Sequence, residues 1–406
     1  MMFRRVGFGL LIGALALAPV PAEAADVKIG ILAGQTGPIE SLVPPIVRAA
    51  RLVAEHVNGA GGFPGGGQLS MPVADTACID AAEAANAADG LINTENVIAI
   101  VGALCSSATL SAAETTAIPD EVVMVSPAST APGLSDLDDN DLIFRVAPSD
   151  SYQGEAMARM IHRRGIGTIA IAHAQNAYGE GLAEAIRKGF EAEGGSVALV
   201  RAYGGHSIDF EAEIGALAAT GADALVIADY VDGTGGPALR AAVASGTFSQ
   251  FFGTDGMASD QLLAVPGVPV SALEGMVVTR TGNPLAPGRA AFETLMRAAG
   301  VDAAAPFVAE AYDSAFLLAL AIARNGDNGR DGLAEALRSI ASPPGHRILP
   351  GEWAEAMEHL NSGMDIDYEG AAGGHAFGAK GDVPGAIVEW VVKDGRLFEV
   401  GPAERP

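Results

Sequence analysis

Cysteine is nearly absent: Cys78 and Cys105 are the only two in 406 residues. A lone pair cannot make a tetrahedral zinc site, which needs four protein ligands or three plus water. Basic residues are outnumbered, 24 Lys and Arg against 49 Asp and Glu, for a net charge of −25. A chain this acidic repels nucleic acid and anionic membrane, and it holds no basic tract to offset the charge. Aromatics make up only 5% of the residues, with six tyrosines, so the positions of those tyrosines carry information. Signatures of catalysis are also missing: there is no Gly-x-Ser-x-Gly elbow, no phosphate-cradling Walker A loop and no His-Glu-x-x-His. Gly59-Ala-Gly-Gly-Phe-Pro does not satisfy the dinucleotide fingerprint, and it leads into a strand instead of following one. The histidines at 56, 162, 173, 206, 346, 359 and 375 are scattered, with no two spaced as a shared metal site. Hence no metal, no cofactor and no enzymatic activity are expected. Disorder is excluded by a hydrophobic content of 49%.

What is present begins with the leader. Arg4 and Arg5 precede an apolar run, Val6 to Val20, which ends in Pro21 and Ala22-Glu23-Ala24. A basic start, a short apolar core and an Ala-x-Ala site read as a secretory signal peptide over residues 1–24. The run is too short for a comfortable membrane span. No cysteine follows it, so no lipid anchor is available there, and no further span or signalling domain is read along the chain. The mature protein is expected to start near Ala25 and to be soluble in the periplasm. An even cysteine count in an oxidising compartment favours a disulfide, with two buried free thiols as the alternative.

About 380 residues remain, enough for two domains. Apolar runs rich in Val and Ile alternate with amphipathic segments. Strands are expected at Val27 to Ala33, Leu69 to Asp75, Val97 to Gly102 and Val122 to Ser126, with helices at Ile46 to Asn58, Ala81 to Asn93 and Ser107 to Ala117. The pattern restarts with strands at Thr168 to Ala174, Val197 to Tyr203, Ala224 to Asp229 and Phe251 to Thr254, and helices at Tyr178 to Glu193, Phe210 to Ala219 and Pro237 to Ala244. Continuous apolar strands separated by such helices imply α/β architecture, with parallel sheets covered on both faces. Met276 to Thr279 reads as another strand, followed by helices at Gly288 to Ala299, Pro306 to Arg324 and Gly332 to Ile340. Near the end, Lys393-Asp-Gly-Arg between two strand-like runs signals a hairpin.

In doubly wound sheets ligands collect beyond the carboxyl ends of strands, where helix N-termini present free N–H groups. Those junctions carry Cys105-Ser106-Ser107, Ser126-Pro-Ala-Ser-Thr-Ala-Pro, Asn176-Ala-Tyr178, Asp229-Tyr230 and Gly253-Thr-Asp255. Hydroxyls and helix starts suit a carboxylate, while an acid such as Asp255 suits an ammonium and aromatic faces can flank either end. The plainer reading is that these residues are caps and turns, with Ser106 as a good N-cap.

Cys78, then Gly102-x-x-Cys105-Ser-Ser, then Ser126-Pro-Ala-Ser-Thr-Ala-Pro, then Tyr178-Gly-Glu-Gly-Leu together resemble the periplasmic leucine/isoleucine/valine-binding proteins of ABC transporters. The resemblance runs over nearly the whole mature chain. It implies a type I periplasmic binding fold, two doubly wound parallel-sheet lobes joined by a three-crossover hinge. We place lobe 1 at 25–147 plus 280–345 and lobe 2 at 148–279 plus 346–406. By the same resemblance Ser106, Ala128 and Thr130 would hold a ligand carboxylate. Tyr178 and Tyr230 would close from the second lobe, Asp255 would take the α-ammonium, and Tyr312 would line the first-lobe side. Cys78 and Cys105 would be disulfide-bonded.

The partners implied are an amino acid or related small solute and an inner-membrane ABC permease, served by a monomer without nucleic acid. Two departures bear on specificity. Leu42 stands where branched-chain binders carry a large aromatic, and the segment from Trp353 to Val400 is longer. Members of the broader family also take amides, urea, short dicarboxylates and aromatic acids, and a periplasmic ligand sensor for such compounds is the alternative function.

Overall fold

The computed structural model describes residues 25–204, 210–282, 285–326 and 328–405. The leader expected at 1–24 and His206 lie outside the described residues. The first lobe is built from β1 (Val27–Ala33), α1 (Val43–Gly59), β2 (Leu69–Ser70), β3 (Val73–Asp75), α2 (Ala81–Asp89), β4 (Ala99–Gly102), α3 (Ser106–Ala112), β5 (Val123–Ser126) and β6 (Ile143–Arg145). Its sheet runs β2-β1-β4-β5-β6, with β3 also beside β1, and every pairing is parallel. The single strand expected at Leu69 to Asp75 is broken at Met71-Pro72, because proline offers no N–H to a ladder.

The second lobe follows with α4 (Asp150–His162), β7 (Thr168–Ala174), α5 (Ala177–Ala192), β8 (Ser196–Tyr203), α6 (Phe210–Ala218), β9 (Ala224–Ala228), α7 (Gly236–Ser245), β10 (Gln250–Gly253) and β11 (Val277–Thr281). The chain then returns to the first lobe for α8 (Arg289–Ala299), α9 (Val308–Asn325), α10 (Leu333–Ile340), β12 (His346–Ile348), α11 (Trp353–Asn361) and β13 (Ile366–Tyr368). It crosses once more to add β14 (Ile387–Lys393) and β15 (Arg396–Glu404). The second sheet has the order β15-β14-β11-β10-β9-β7-β8, parallel from β8 to β11 and antiparallel at the last two strands. Asp394 and Gly395 join those two with φ of 49° and 72°, the paired positive values a tight hairpin requires.

The β9 strand Ala-Leu-Val-Ile-Ala is buried at every position, as a central parallel strand covered on both faces must be. Helix α9 is apolar around nearly its whole circumference because it sits between α1 on one side and β4 and β5 on the other. Residues 346–368 correct the lobe assignment made from sequence. Trp353 packs edge-on against Phe63, donates its indole N–H to Gly62, and belongs with Tyr368 to the first-lobe core. Only the strands from Ile387 onward join the second sheet. The sequence grouped the whole tail together because the length of its last hairpin was clear and the short β12–α11–β13 unit was not.

The crossings are tied to one another. Arg145, 2% exposed, pairs through Nε with Asp382 at 2.6 Å and donates Nη1 to the carbonyls of Thr130 and Ala131. The Arg145 N–H reaches the carbonyl of Gly381, and the Gly282 N–H reaches that of Ala386. The lobes themselves touch across the cleft. Ser41 N–H donates to Asp232 at 3.0 Å and Ala177 N–H to Ser107 Oγ at 3.1 Å. This is a closed arrangement. Among the described residues no helix is long and apolar enough to cross a membrane.

Candidate functional site

Strand β4 stops at Gly102, whose φ of 129° and whose approach to the Leu32 carbonyl exclude a side chain: a Cβ there would lie 2.3 Å from that oxygen. The chain turns and enters α3. Cys105 occupies the cap position, so Ser106 is the first helical residue and not the N-cap expected from sequence. Cys105 is disulfide-bonded to Cys78, with the Cα atoms 5.9 Å apart. The bridge passes over bare backbone at Gly34, where a Cβ would meet Cys78 Sγ.

Ser106 Oγ accepts the backbone N–H groups of Thr130 and Ala131 at 3.2 and 3.1 Å. Its own proton has no acceptor among the described residues, while the buried Thr130 hydroxyl is turned to the Asp150 carboxyl and favours its charged form. Ala128 is half-buried on the same turn, its N–H directed at Ser126 Oγ at 3.4 Å. This corner therefore offers hydroxyl donors and a helix start, the chemistry of an anion grip.

The facing corner is acidic. Tyr178, held at the start of α5 by the Asn176 side-chain cap, donates to Asp255 Oδ1 at 2.6 Å and accepts the Gly256 N–H at 3.1 Å. Tyr230 stacks on Tyr178 with centroids 4.8 Å apart. Burial lifts both phenols well above their ordinary range, so they stay neutral donors. Gln153 Nε2 donates to Asp255 Oδ1 at 2.7 Å and to Asp150 Oδ1 at 3.2 Å, bridging two buried carboxyls. Asp150 is fully buried, and of the groups around it only the Thr130 hydroxyl and, at a distance, Arg145 favour its charge. Burial first, then the charge of Asp255, pushes Asp150 well above the usual carboxylate range, and burial also raises Asp255. No cationic side chain pairs with either acid among the described residues. Because the Asp150 N–H donates to the Thr130 carbonyl at 2.8 Å, the acidic pair directly adjoins the hydroxyl corner.

Ser106, Thr130, Tyr178, Tyr230 and Asp255 are thus linked in one constellation, with Ala128 beside it. Tyr312 is not part of it. Its ring lies in the first-lobe core against Phe292 and Phe316, and its hydroxyl is 3.0 Å from His56 Nδ1. Sequence reasoning missed Asp150 and Gln153. The Ser149-Asp-Ser-Tyr-Gln segment, with Ser149 capping α4, was the available signal. The scattered histidines also meet more than expected: His346, Glu355 and His359 place ligand atoms within 4.8 Å of one another on the surface of the first lobe, with Glu355 2.9 Å from His346 Nε2.

The periplasmic binding protein family matches residues 26–356. A leucine-, isoleucine-, valine-, threonine- and alanine-binding protein of Pseudomonas aeruginosa is 32% identical over 323 residues, covering 78% of this chain and 83% of its own. A Leu/Ile/Val-binding protein of Escherichia coli K12 is 31% identical over 280 residues, 68% of this chain and 74% of its own. Among solved structures, a leucine-binding protein of Thermotoga maritima superposes with a TM-score of 0.76 at 26% identity, covering 92% of this chain and 98% of its own. The chain belongs to the periplasmic binding protein family. Its two doubly wound lobes and three crossings are the type I form of that fold.

Proposed function

We propose that the protein binds an α-amino acid in the periplasm and, as a closed monomer, presents it to an inner-membrane ABC permease. The observation that carries this reading is the pair of buried carboxyls, Asp150 and Asp255, with no cationic side chain bonded to either among the described residues, beside the Ser106 hydroxyl and its helix start. Buried charges are otherwise paired, and an α-ammonium with its neighbouring carboxylate supplies both missing partners at the spacing of one carbon. The relatives' names point the same way. Contacts to such a ligand come from both lobes, so they are complete only when the lobes close, and binding shifts the population toward closure. Calorimetry and thermal shift on refolded, ligand-stripped protein against the amino acids test this. Failure of every amino acid to bind or to raise the melting temperature overturns it.

Closure needs small residues at the lobe contact. A Cβ on Gly181 of α5 would lie 2.6 Å from Pro132 Cδ across the cleft. Gly181→Leu should leave each lobe folded but hold them apart. Its expected signature is ligand affinity lowered about tenfold, with a larger radius of gyration by small-angle scattering in the presence of ligand.

The acidic pair also sets a pH dependence. Its raised folded-state pKa values mean that the unliganded protein holds protons to higher pH than the unfolded chain does. That contribution to stability is fully present below the ordinary carboxylate range and is lost as pH rises through the raised values. An ammonium needs the charged form, so affinity runs the opposite way and weakens as pH falls through the raised values. Binding should release protons, read as a dependence of the calorimetric enthalpy on buffer ionisation heat.

A further inference from the structure

A second polar constellation lies between the lobes, in a cavity of about 260 Å³ lined by Ser41 and Leu42 from the first lobe and by Ser259, Arg280 and Trp390 from the second. Arg280 stands on β11 opposite Val388 of β14, so Trp390, two residues along the partner strand, shares its face. The guanidinium lies over the Trp390 ring at 4.0 Å. It is 8% exposed, yet it forms no ion pair among the described residues. Its single hydrogen bond among the described residues is from Nη1 to the Ala304 carbonyl at 3.2 Å. Among the described residues Nε is buried without a partner, and so are the hydroxyls of Ser41 and Ser259. Asp260 and Asp302 also line the cavity and, with Glu399, act on Arg280 electrostatically, but all three are exposed to solvent and none bonds to it.

We propose that this cavity is a binding site for a small carboxylate, held side-on by the Nε and Nη2 edge of Arg280 and by the hydroxyls of Ser41 and Ser259. A buried guanidinium whose nearby carboxylates stay in solvent and do not bond to it is costly, and its planar edge matches a carboxylate with two parallel N–H···O bonds. Trp390 fixes the plane of the fork from one side, and Leu42 gives the cavity an apolar wall for a short carbon chain. Burial draws Arg280 down only to about 10, so the fork is charged at neutral pH. Ser41 and Ala304 belong to one lobe and Arg280 to the other, so an occupant here bridges the lobes and favours closure in the same sense as a ligand at Asp255.

The carboxylate can arrive on a free organic acid or on the side chain of an acidic amino acid, and the test separates these. Refolded wild type, Arg280→Met and Ser259→Ala are titrated calorimetrically with succinate, glutamate, leucine and inorganic phosphate. Succinate or glutamate is expected to bind wild type and to lose at least about tenfold in affinity in Arg280→Met, and about threefold in Ser259→Ala. Succinate binding identifies the free acid as the source; glutamate binding without succinate binding identifies the side chain. A cooperative melt certifies the Arg280→Met fold. If that variant fails to fold, Arg280→Lys, which keeps the charge and loses the fork, replaces it with the same expected loss. Equal carboxylate affinity in wild type and the Arg280 variant, binding of phosphate but no carboxylate, or no carboxylate binding at millimolar concentration overturns the proposal. Leucine reports on the Asp255 site separately: its failure would count against the amino-acid reading and leave this one standing.

Discussion

Asp150→Asn is expected to raise the melting temperature of the unliganded protein and, at the same time, to weaken amino-acid binding about a hundredfold, or about 2.7 kcal/mol. The opposite signs follow from one arrangement. Two buried carboxyls share the Gln153 amide, and no cationic side chain pairs directly with either among the described residues, Arg145 acting on Asp150 only at a distance. In the empty protein this is repulsion and desolvation without return, so replacing one acid by a neutral amide relieves it, by about 2 °C or more in melting temperature. In the complex the same charge faces an ammonium, and its removal leaves the ligand's cation half paired. Asp255→Asn should behave alike in affinity but not in stability. Asp255 also accepts from Tyr178, and its loop is bonded to the same phenol through Gly256, so the substitution disturbs the second-lobe wall as well. Calorimetry gives the affinities and unliganded melting curves give the stabilities. If Asp150→Asn destabilises the empty protein and binds leucine as tightly as wild type, Asp150 is a structural acid and the ammonium assignment fails.

The two-lobed architecture was legible because parallel strands buried on both faces leave runs such as Ile-Ala-Ile-Ala in β7 and Leu-Val-Ile-Ala in β9, which only such sheets need. The strand-end rule marked the junction stretches that hold Ser106, Thr130, Tyr178, Tyr230 and Asp255, and the family resemblance picked out those residues within them. Asp150 and Gln153 escaped it because they do not follow a strand end in the expected pattern: they begin α4, just past the first crossing, where the chain changes lobes. Tyr312 shows the reverse difficulty. A tyrosine in an apolar helix has the same local sequence whether its hydroxyl faces a cleft or, as here, meets a histidine on α1 inside the core. The Arg280 cavity had no local signature at all, since its walls come from six separate stretches of both lobes.

Removing the disulfide as Cys78→Ser/Cys105→Ser is expected to cost about 3.5 kcal/mol, the closure entropy of a loop whose ends are 27 residues apart. In melting temperature that is about 4 °C for a protein of this size. Were the bridge only a restraint on the unfolded chain, ligand affinity would not change. The geometry argues for more. Cys105 is the residue before α3, Ser106 is the next, and the Ser106 hydroxyl fixes the Thr130 turn through two backbone N–H groups. Cys78 sits with φ of 55° in a loop otherwise tied down by Asp75 bonds to Thr36 and Ala77, so the bridge connects the α3 start to the end of β3. Loosening it should let the hydroxyl donors drift relative to Asp150 and Asp255, lowering amino-acid affinity severalfold while closure still occurs. The measurement is a pair of titrations, wild type and double variant, well below both melting temperatures. A lowered melting temperature with unchanged affinity would make the bridge a staple for the fold alone; a loss in both makes it part of the carboxylate grip.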